Sequence, residues 1–530
     1  MATFGNEALE TALAESEHPG SSRQNAGSHS TRNREAPEKV AEPRLAVADK
    51  NHDGDADEDD DGEAQFDRAA ERRLRLKIDL YVVPTVAILY LFCFLDRINF
   101  GNARIAGMEA ELGLHKYDYN RVISIFYSSY ILFEIPSSLL CKWMGPGWFL
   151  PLATIMFGVA SLASGFANNY AQMAAVRFLL GISEAGMLPG CAYYLSRWYR
   201  SSELVFRLAL YIITAPLAGA FAGVLASSIL KLDSFGGVRK WRMIFAIEGI
   251  MTICLGLVAL FTLTDRPETA RWLTREEKDL AVRRVKSERV GQTVVLDRID
   301  KKKLLRGIFS PVTLSTGFIF LCVNITVQSL SFFLPTIVRT IYGHKSVVEQ
   351  QLLTAPPYLV AAVLTLLFPL LSWRLDKRQV FIILSAPLVM VGFCMFLGSE
   401  ASAVRYAATF LIAASAFTNG AMCNAQASAN VVSDTARSAA IGTNVMLGNI
   451  GGLISGWAFL PWDAPNYHVG NGLNLAAASS ILVVGLLTQF WMQRDNRRRT
   501  GRDVEGALRG LTQQEIEDLD WKHPAFRWKP

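Results

Sequence analysis

The chain has 530 residues, 51% of which are apolar, and its formal net charge is +5 at pH 7. Its basic residues cluster beside apolar segments, which is a topology signal and excludes the basic surface that a nucleic-acid partner would need. From residue 78 to residue 493 the sequence is a series of apolar blocks, each about as long as the 20 residues that a helix needs to cross a bilayer. A soluble protein of this length would instead divide into domains with polar surfaces. The sequence therefore predicts an all-α polytopic membrane protein.

Residues 1–70 are rich in Ser, Gly, Asn, Asp and Glu, a composition that predicts a disordered acidic tail. Within this tail, the run from Asp49 to Gly54 partly matches the calcium-binding loop D-x-[DN]-x-[DN]-G. Asp60 stands where the last ligand would be glutamate, and no amphipathic helix flanks the run, so a solvated tail is the favoured interpretation. Met1 is followed by a polar stretch rather than an apolar core, so we expect no cleaved signal peptide.

Apolar segments predict twelve membrane spans, and a long polar connection from Asp265 to Ser310 divides them into two sets of six. The predicted spans are 79–100, 120–141, 149–167, 171–195, 206–230, 243–264, 312–334, 350–372, 379–398, 403–428, 439–460 and 472–492. The predicted domains are the N-terminal tail at 1–70, the first half at 71–264, the central loop at 265–310, the second half at 311–493 and the C-terminal tail at 494–530. Small residues that would let helices approach closely across the halves are Ala218, Gly219, Gly223, Gly448, Gly451, Gly452 and Gly456.

Dense basic clusters fall on one side of the membrane if the predicted spans alternate. By the positive-inside rule this side is cytosolic, so both termini and the central loop are expected in the cytosol of a plasma-membrane protein. Loops on the other side are poorer in basic residues, with one exception at 231–242. The basic clusters comprise Arg72, Arg73, Arg75, Lys77, Arg197, Arg200, Arg207, Arg283, Arg284, Lys286, Lys301, Lys302, Lys303, Arg374, Lys377, Arg378, Arg494 and Arg497 to Arg499.

The seven cysteines all lie in or beside apolar segments. They are typical of small residues in a membrane core, so we expect no disulfide and no metal site. All seven histidines fall in tails or loops, and the sequence holds neither a nucleophile motif nor a G-x-x-x-x-G-K-[ST] phosphate loop. These observations argue against an enzyme, an ATP-driven pump and a bound cofactor.

Two short segments at matched places resemble the loop signature G-x-L-a-D-R-x-G-R of the major facilitator superfamily. The first, Ser138 to Gly145, follows the second span and carries Lys142 where the signature has aspartate. The second, Arg374 to Arg378, follows the eighth span and keeps the acid as Asp376. The resemblance implies the major facilitator fold, while the departure at Lys142 puts the usual ion pair of this loop in question for the first half.

More specific segments resemble the anion:cation symporter family within that superfamily. Phe94 to Asn99 resembles the end of its first helix, and Arg177 to Gly190 resembles its fourth-helix signature. His523 to Arg527 is similar to the ends of fungal members. The similarity covers residues 70–530 and implies a transporter similar to fungal allantoate and nicotinate permeases, whose substrates are small organic anions.

Four charged residues in the apolar spans form the main candidate site, because a charge inside the bilayer is costly and usually functional. Asp96 and Arg97 are adjacent, so they lie on different faces of a helix. Arg177 and Glu184 are seven residues apart, which places them on one face, about 10 Å apart along the axis. Arginine binds a carboxylate with two hydrogen bonds, and a carboxyl group in a cavity of low dielectric can take up a proton near neutral pH.

The resemblance implies that Asp96 and Glu184 carry protons and that Arg97 and Arg177 bind the substrate or couple it to the proton. The alternative is a structural ion network within the first half.

Three polar residues complete the predicted substrate site. Tyr130 resembles a cavity tyrosine of relatives, with a packed tyrosine as the alternative. Gln328 lies within the seventh span, where it can meet a substrate. Asn444 on the eleventh span loosely matches a substrate-facing asparagine of bacterial sugar-acid relatives. Glu134 and Glu248 are interpreted instead as residues that stabilise helix contacts.

The combined expectation is a monomeric protein in the lipid bilayer that takes up a small organic anion together with protons by alternating access. Two alternatives stay open. One is a proton-driven exporter of a secondary metabolite, and the other is a nutrient sensor that binds without transporting.

Overall fold

The computed structural model describes residues 68–199, 201–233, 238, 240–287, 301–375, 377–501, 503–512, 515–516 and 519–530. The acidic run from Asp49 to Asp60 lies outside these residues. The first half contains α1 (Arg68–Ala103), α2 (Asp118–Met144), α3 (Pro146–Ser164), α4 (Tyr170–Glu184), α5 (Met187–Ser196), α6 (Ser201–Ile212), α7 (Thr214–Ile229) and α8 (Trp241–Thr262). The central connection contains α9 (Arg275–Ser287) and α10 (Lys301–Ile308). The second half contains α11 (Pro311–Ile341), α12 (Val347–Leu352), α13 (Ala355–Leu375), α14 (Arg378–Gly398), α15 (Ser402–Ala416), α16 (Asn419–Ala429), α17 (Asp434–Ser455) and α18 (His468–Thr500), and α19 (Val504–Leu508) follows it.

Nine helical stretches among the described residues are long and apolar enough to cross a membrane. They coincide with nine of the twelve predicted spans, and the other three are helical as well. These three, formed by α4 with α5, by α15 with α16, and by α17, are more polar because they carry buried side chains such as Arg177, Asn419 and Asn444. The all-α membrane fold is therefore confirmed, and the helices are consistent with six crossings in each half.

Four of the predicted spans are interrupted rather than continuous: the fourth, fifth, eighth and tenth each consist of two helices. The fourth breaks between Glu184 and Met187. At Gly186 the ring of Phe149 packs so closely that a Cβ atom would lie 2.5 Å from it. Hydropathy did not predict these breaks, because an interrupted span keeps the composition of a continuous one.

The first half has two ends, which salt bridges between its connections define. Lys77 at the start of α1 pairs with Glu277 of α9 at 2.7 Å, and we call this end the terminal face. Arg242 at the start of α8 pairs with Glu111 at 2.8 Å and donates to the carbonyl oxygen of Gly165 at 3.0 Å. We call this end the opposite face.

The second half continues both faces. On the opposite face, Gln350 of α12 donates to the carbonyl oxygen of Tyr342 at the end of α11, at 3.0 Å. On the terminal face, Trp521 donates through Nε1 to the carbonyl oxygen of Arg306 at 3.0 Å. Residues 494–500, predicted as the start of the tail, continue α18 as helix.

Residues 519–530 pack against the terminal face of the second half. Trp528 is 2% exposed, and its Nε1 donates to Asp495 at 2.7 Å. The amide of Asn496 donates to the carbonyl oxygen of Trp528 at 2.8 Å. The amide of Asn430, at the end of α16, donates to the carbonyl oxygen of Lys529 at 3.1 Å. This segment therefore ties the ends of α16 and α18 together.

The two halves meet along what we call the seam, on the side of the opposite face. Tyr119 donates through its hydroxyl to the carbonyl oxygen of Phe332 at 3.1 Å, and Asn120 donates to that of Gly456 at 2.6 Å. Trp457 donates to the hydroxyl of Ser124 at 2.8 Å. The helices in these contacts are α2, α11 and the end of α17, and each of the three also carries one residue of the predicted site.

Glycines permit close contact between the halves, as their spacing predicts. A Cβ atom at Gly219 would lie 2.5 Å from the ring of Tyr358, and one at Gly452 would lie 2.5 Å from that of Tyr127. Gly451 packs instead against the carbonyl oxygen of Leu321, within the second half.

The faces and the basic clusters together predict opposite labelling of two introduced cysteines. Lys302→Cys on the terminal face is expected to react with a membrane-impermeant maleimide only after permeabilisation, because the positive-inside rule places this face in the cytosol. His115→Cys, on the exposed connection between α1 and α2, serves as the matched position and is expected to react in intact cells. Reaction at residue 302 from outside would contradict the orientation.

A buried charge cluster as the candidate functional site

Helix α1 carries Asp96 and Arg97 to two different partners on α4. Adjacent helical residues point about 100° apart, so their side chains diverge. Arg97 pairs with Glu184, and Asp96 pairs with Arg177. The pairing is crosswise: each residue of α1 binds the oppositely charged residue of α4, and all four side chains are at most 6% exposed.

The Arg97–Glu184 pair is held on one carboxylate oxygen. Nε and Nη2 of Arg97 donate to Oε2 of Glu184 at 3.1 and 2.9 Å. The thiol of Cys93, one turn earlier on α1, donates to the same oxygen at 3.3 Å. The other oxygen of Glu184, Oε1, is buried and has no hydrogen-bond partner among the described residues. This carboxyl group thus has one oxygen available for a proton.

In the Asp96–Arg177 pair, both carboxylate oxygens are bonded, and the unpartnered atoms are on the arginine instead. Nη1 of Arg177 donates to Oδ2 of Asp96 at 2.5 Å, and the hydroxyl of Ser161 on α3 donates to Oδ1 at 2.6 Å. The Nε and Nη2 atoms of Arg177 are buried and lack a hydrogen-bond partner in the described part of the chain. A buried donor without a partner is costly, so this arginine has capacity to bind a further acceptor.

Aromatic rings surround both guanidinium groups. That of Arg97 lies 5.1 Å from the ring centre of Tyr130 and 5.4 Å from that of Phe126. That of Arg177 lies 4.4 Å from the ring centre of Phe100. Such rings attract a cation through their negative faces while excluding water. The arginines are therefore stabilised without using up their hydrogen-bond donors.

A cavity of about 10 Å³ lies between the two arginines. Besides Arg97 and Arg177, it is lined by Phe100 and Phe126 of the first half and by Phe332 of the second. A space of this size holds about one water molecule. The space between the two arginines is thus too small for a substrate, and a larger ligand there requires the surrounding groups, Phe332 of the second half included, to move apart.

The structure brings five of the seven predicted site residues together: Asp96, Arg97, Arg177, Glu184 and Tyr130. Their functional roles stay predictions.

The other two lie outside the cluster. Gln328 is one turn before Phe332 on α11, and its buried carbonyl oxygen has no partner among the described residues. Asn444 donates to Cys423 and Asn424 within the second half and accepts from Thr316 there.

Sequence reasoning missed two members of the cluster, Cys93 and Ser161, because small polar residues are common in membrane helices and give no distinct signal. It placed Glu134 and Glu248 at helix contacts, and both are found there. Glu248 on α8 accepts from Asn99 of α1 at 2.8 Å. Glu134 on α2 accepts from Asn449 of α17 at 2.8 Å, which joins the two halves.

In the loop segment from Ser138 to Gly145, where Lys142 replaces the aspartate of the signature, a carboxylate is supplied by another part of the chain. Asp265, at the end of the sixth span, accepts from the backbone N–H of Gly147 at 3.3 Å and from Arg197 at 3.2 Å. The carboxylate of Asp265 therefore pairs with Arg197, whereas Lys142, at the position of the aspartate in the signature, is exposed. Asp376, in the second copy, lies outside the described residues.

Apolar helices in two joined halves, with a charge cluster buried within the first half, define the class of polytopic membrane transporters. The profile of the Major Facilitator Superfamily matches residues 86–456. The chain therefore belongs to the major facilitator superfamily, as the sequence motifs predict.

Relatives and solved structures agree with this assignment. An uncharacterized transporter of Schizosaccharomyces pombe is 32% identical over 467 residues, which cover 87% of this chain and 91% of that one. A high-affinity nicotinic acid transporter of Saccharomyces cerevisiae is 27% identical, with 86% and 85% covered. The inward-facing, unoccupied structure of a bacterial homologue of the human lysosomal transporter Spinster shares the fold, with a TM-score of 0.57 at 15% identity, and 77% and 95% covered.

The Arg97–Glu184 pair predicts a specific pattern of stability. Arg97→Gln leaves Glu184 as an unpaired buried charge and is expected to cost about 3–5 kcal/mol. The double variant Arg97→Gln/Glu184→Gln has two neutral partners and is expected to recover most of that loss. Thermal unfolding of the detergent-solubilised variants, followed by tryptophan fluorescence, measures both. Equal loss in the single and double variants would contradict the pairing.

Proposed function

We propose that the protein is a proton-coupled importer of a small organic anion that works by alternating access. The observation that carries the proposal is the crosswise pairing of two buried arginines with two buried carboxylates. Each arginine is neutralised by a group that a proton can discharge. A proton on the carboxyl group and an anion on the freed arginine can therefore be bound together, and each favours the other, which is the requirement for carrying both in one direction.

Protonation of a carboxyl group would release its arginine. When Glu184 takes a proton at Oε1, its attraction to Arg97 falls, and the same holds for Asp96 and Arg177. A freed guanidinium in a water-poor cavity needs a new negative partner, because an unpaired buried charge costs several kcal/mol. A carboxylate substrate supplies that partner through two parallel hydrogen bonds. Loading then requires both the proton and the anion.

The position of the seam supports loading from the outside, followed by opening toward the cytosol. In this structure it closes the side of the opposite face, which the positive-inside rule makes the outer side. Opening the seam exposes the cluster to solution outside. Opening the other side requires separating Asn449 from Glu134, the contact that joins α17 and α2 beyond the cluster. Rocking of the two halves between these contacts is the alternating access that we propose.

The substrate class follows from the charges, and one relative agrees with it. The name of the Saccharomyces cerevisiae relative states that it transports nicotinic acid, which is a monocarboxylate at neutral pH. We propose a small mono- or dicarboxylate of vitamin, ureide or sugar-acid size. A growth screen on single carboxylates and vitamins, with and without this gene, identifies the compound.

Glu184→Gln is expected to abolish accumulation of labelled substrate in right-side-out vesicles with an acidic exterior. The neutral amide cannot deliver a proton, whereas exchange of substrate across the membrane needs no net proton transfer and is expected to continue. Glu400→Gln, at an exposed position on the opposite face, serves as the matched control. Accumulation by Glu184→Gln would assign the proton to another group, and accumulation only in inside-out vesicles would indicate an exporter.

Arg177→Lys is expected to reduce uptake by at least about tenfold, because an ammonium group cannot replace the two-pronged grip of guanidinium. Arg121→Lys, which alters an exposed arginine at the start of α2, is expected to transport normally. In wild type, the amide of the transported acid is expected to compete poorly with the acid. Equal competition by amide and acid, together with normal uptake by Arg177→Lys, would make Arg177 a structural residue.

A further inference from the structure

A second cavity, of about 640 Å³, opens on the opposite face, away from the charge cluster. It lies where the halves meet. The segment after α1 forms one wall together with Leu230, Leu232, Asp233 and Lys240, and the end of α11 with the start of α12 forms the other. Cavities of 300–1,000 Å³ are typical of small-molecule sites. This one therefore has room for a ligand where the central cavity has none.

The lining of this cavity combines apolar and charged residues, and its charged residues carry net positive charge. Arg104, Lys240 and Arg339 face two carboxylates, Glu109 and Asp233. With one positive charge in excess, the cavity favours a monoanion. The side chains of Lys240 and Arg339 are exposed, so they reach solution while Arg104 lies deeper.

Arg104 is the cavity residue that is held in place by the protein and positioned to bind an anion. Its side chain is 10% exposed, and its Nε lies 2.7 Å from Oε1 of Glu109. Its guanidinium lies 4.1 Å from the ring centre of Tyr119, a residue of the seam. Its Nη1 atom is buried and has no hydrogen-bond partner among the described residues. A nine-tenths buried guanidinium with a spare donor is an anion site that the protein itself does not fill.

The backbone around Arg104 is irregular. Residues Arg104–Met108 form a π-helical turn that continues α1, and Gly107 within it has φ = +106°, a conformation that favours glycine. π-helical turns of this kind are frequent at functional sites. Here the turn ends the membrane helix and brings Arg104 and Glu109 into the same cavity wall.

Arg339 approaches the same region from the second half. Burial raises the pKa of Tyr467, and the positive charges of Arg104 and Arg339 both oppose that rise. Both arginines therefore lie within electrostatic reach of one hydroxyl group. Both halves thus contribute cations to the cavity, Arg104 and Lys240 from the first half and Arg339 from the second.

The cavity is separated from the charge cluster by the seam. Arg104 follows Arg97 by seven residues, or about 10 Å along a helix. Tyr119, which packs on Arg104, donates to the carbonyl oxygen of Phe332, and Phe332 lines the small central cavity. An anion in the outer cavity therefore lies next to the contact that must open before the cluster can be reached.

We propose that the outer cavity is a second anion-binding site, in which Arg104, assisted by Arg339 and Lys240, binds a small monocarboxylate before the seam opens. Its role in loading rests on the proposed function, whereas binding itself does not. The carboxylate takes the spare Nη1 donor of Arg104, while Nε stays paired with Glu109 and the guanidinium stays over the ring of Tyr119. The chemistry is shared by a free carboxylate and an acidic lipid headgroup, and the proposal is the free carboxylate, because the cavity opens between the halves.

The test uses the full chain with Val348→Cys, a half-buried cavity residue, after the exposed Cys254 and Cys394 are replaced by serine. Benzoate is expected to slow modification of residue 348 by neutral N-ethylmaleimide. Arg104→Gln is expected to raise the half-protecting benzoate concentration by at least about tenfold, because a charged hydrogen bond is lost. The matched control, Arg121→Gln, is expected to leave it unchanged.

Two further arms separate the alternatives. Arg177→Lys is expected to keep benzoate protection, because it alters only the central cluster; loss of protection there would mean that benzoate acts from the cluster and would overturn the proposal. Protection by phosphatidylglycerol vesicles, with none by benzoate, would assign the cavity to lipid headgroups. If benzoate protects residue 348 equally well in Arg104→Gln, the proposed anion site is also overturned.

The role in loading has its own readout. With the transported carboxylate, Arg104→Gln is expected to raise KM by about tenfold while keeping kcat within about twofold, because the site acts on capture and not on translocation. An equal fall in kcat would make Arg104 a structural part of the seam. If Arg177→Lys transports normally while Arg104→Gln loses protection, the central proposal fails and the outer site stands.

Discussion

Two salt bridges between α1 and α4 set the conditions for the rest of the first half. Asp96 and Arg97 are neighbours in sequence, so α1 cannot rotate against α4 without breaking both bonds. Each bond compensates charges that would be prohibitively costly alone in the bilayer. The same burial makes the bonds responsive, because in a low dielectric the loss of one charge changes the energy of its partner by several kcal/mol. Rigidity at rest and sensitivity to a single proton thus have one physical origin.

The seam combines side-chain hydrogen bonds with close backbone packing, whereas the contact described beyond the cluster lies between side chains. At the seam, helices approach until a backbone carbonyl nearly touches a glycine: a Cβ atom at Gly101 would lie 2.6 Å from the oxygen of Phe332. Beyond the cluster, the halves are joined through side chains, as in the bond from Asn449 to Glu134. Backbone packing is rigid and does not adapt, whereas long side chains can part and find other partners. Close backbone packing therefore holds the halves together at the opposite face, whereas a side-chain bond joins them toward the terminal face.

Sequence patterns predicted the helical fold and the four cluster residues, because apolar length and charges within the bilayer are visible in composition. They did not predict the crosswise pairing, since the spacing of Arg177 and Glu184 describes one helix and not its neighbour. The basic residues at 231–242, the exception to the positive-inside rule, did not lead to a predicted site. The structure explains part of it: Arg242 pairs with Glu111, and Lys240 lines the outer cavity. Arg104 was missed because it lies past the predicted first span, on an irregular turn.

The docking of residues 519–530 has a consequence for the folding of the protein during its synthesis. The amides of Gln426 and Asn430 bond to the carbonyl oxygen of Lys529, across a sequence separation of about one hundred residues. Until residues 519–530 have been synthesised, the end of α16 lacks these two bonds, although Asn430 keeps its bond to the carbonyl oxygen of Gln426 at 2.9 Å. Contacts of such long range form late and leave intermediates exposed in the meantime. The second half therefore reaches its final packing only after Lys529 has left the exit tunnel, so a chain cut short upstream would expose the end of α16 to the quality-control machinery of the cell.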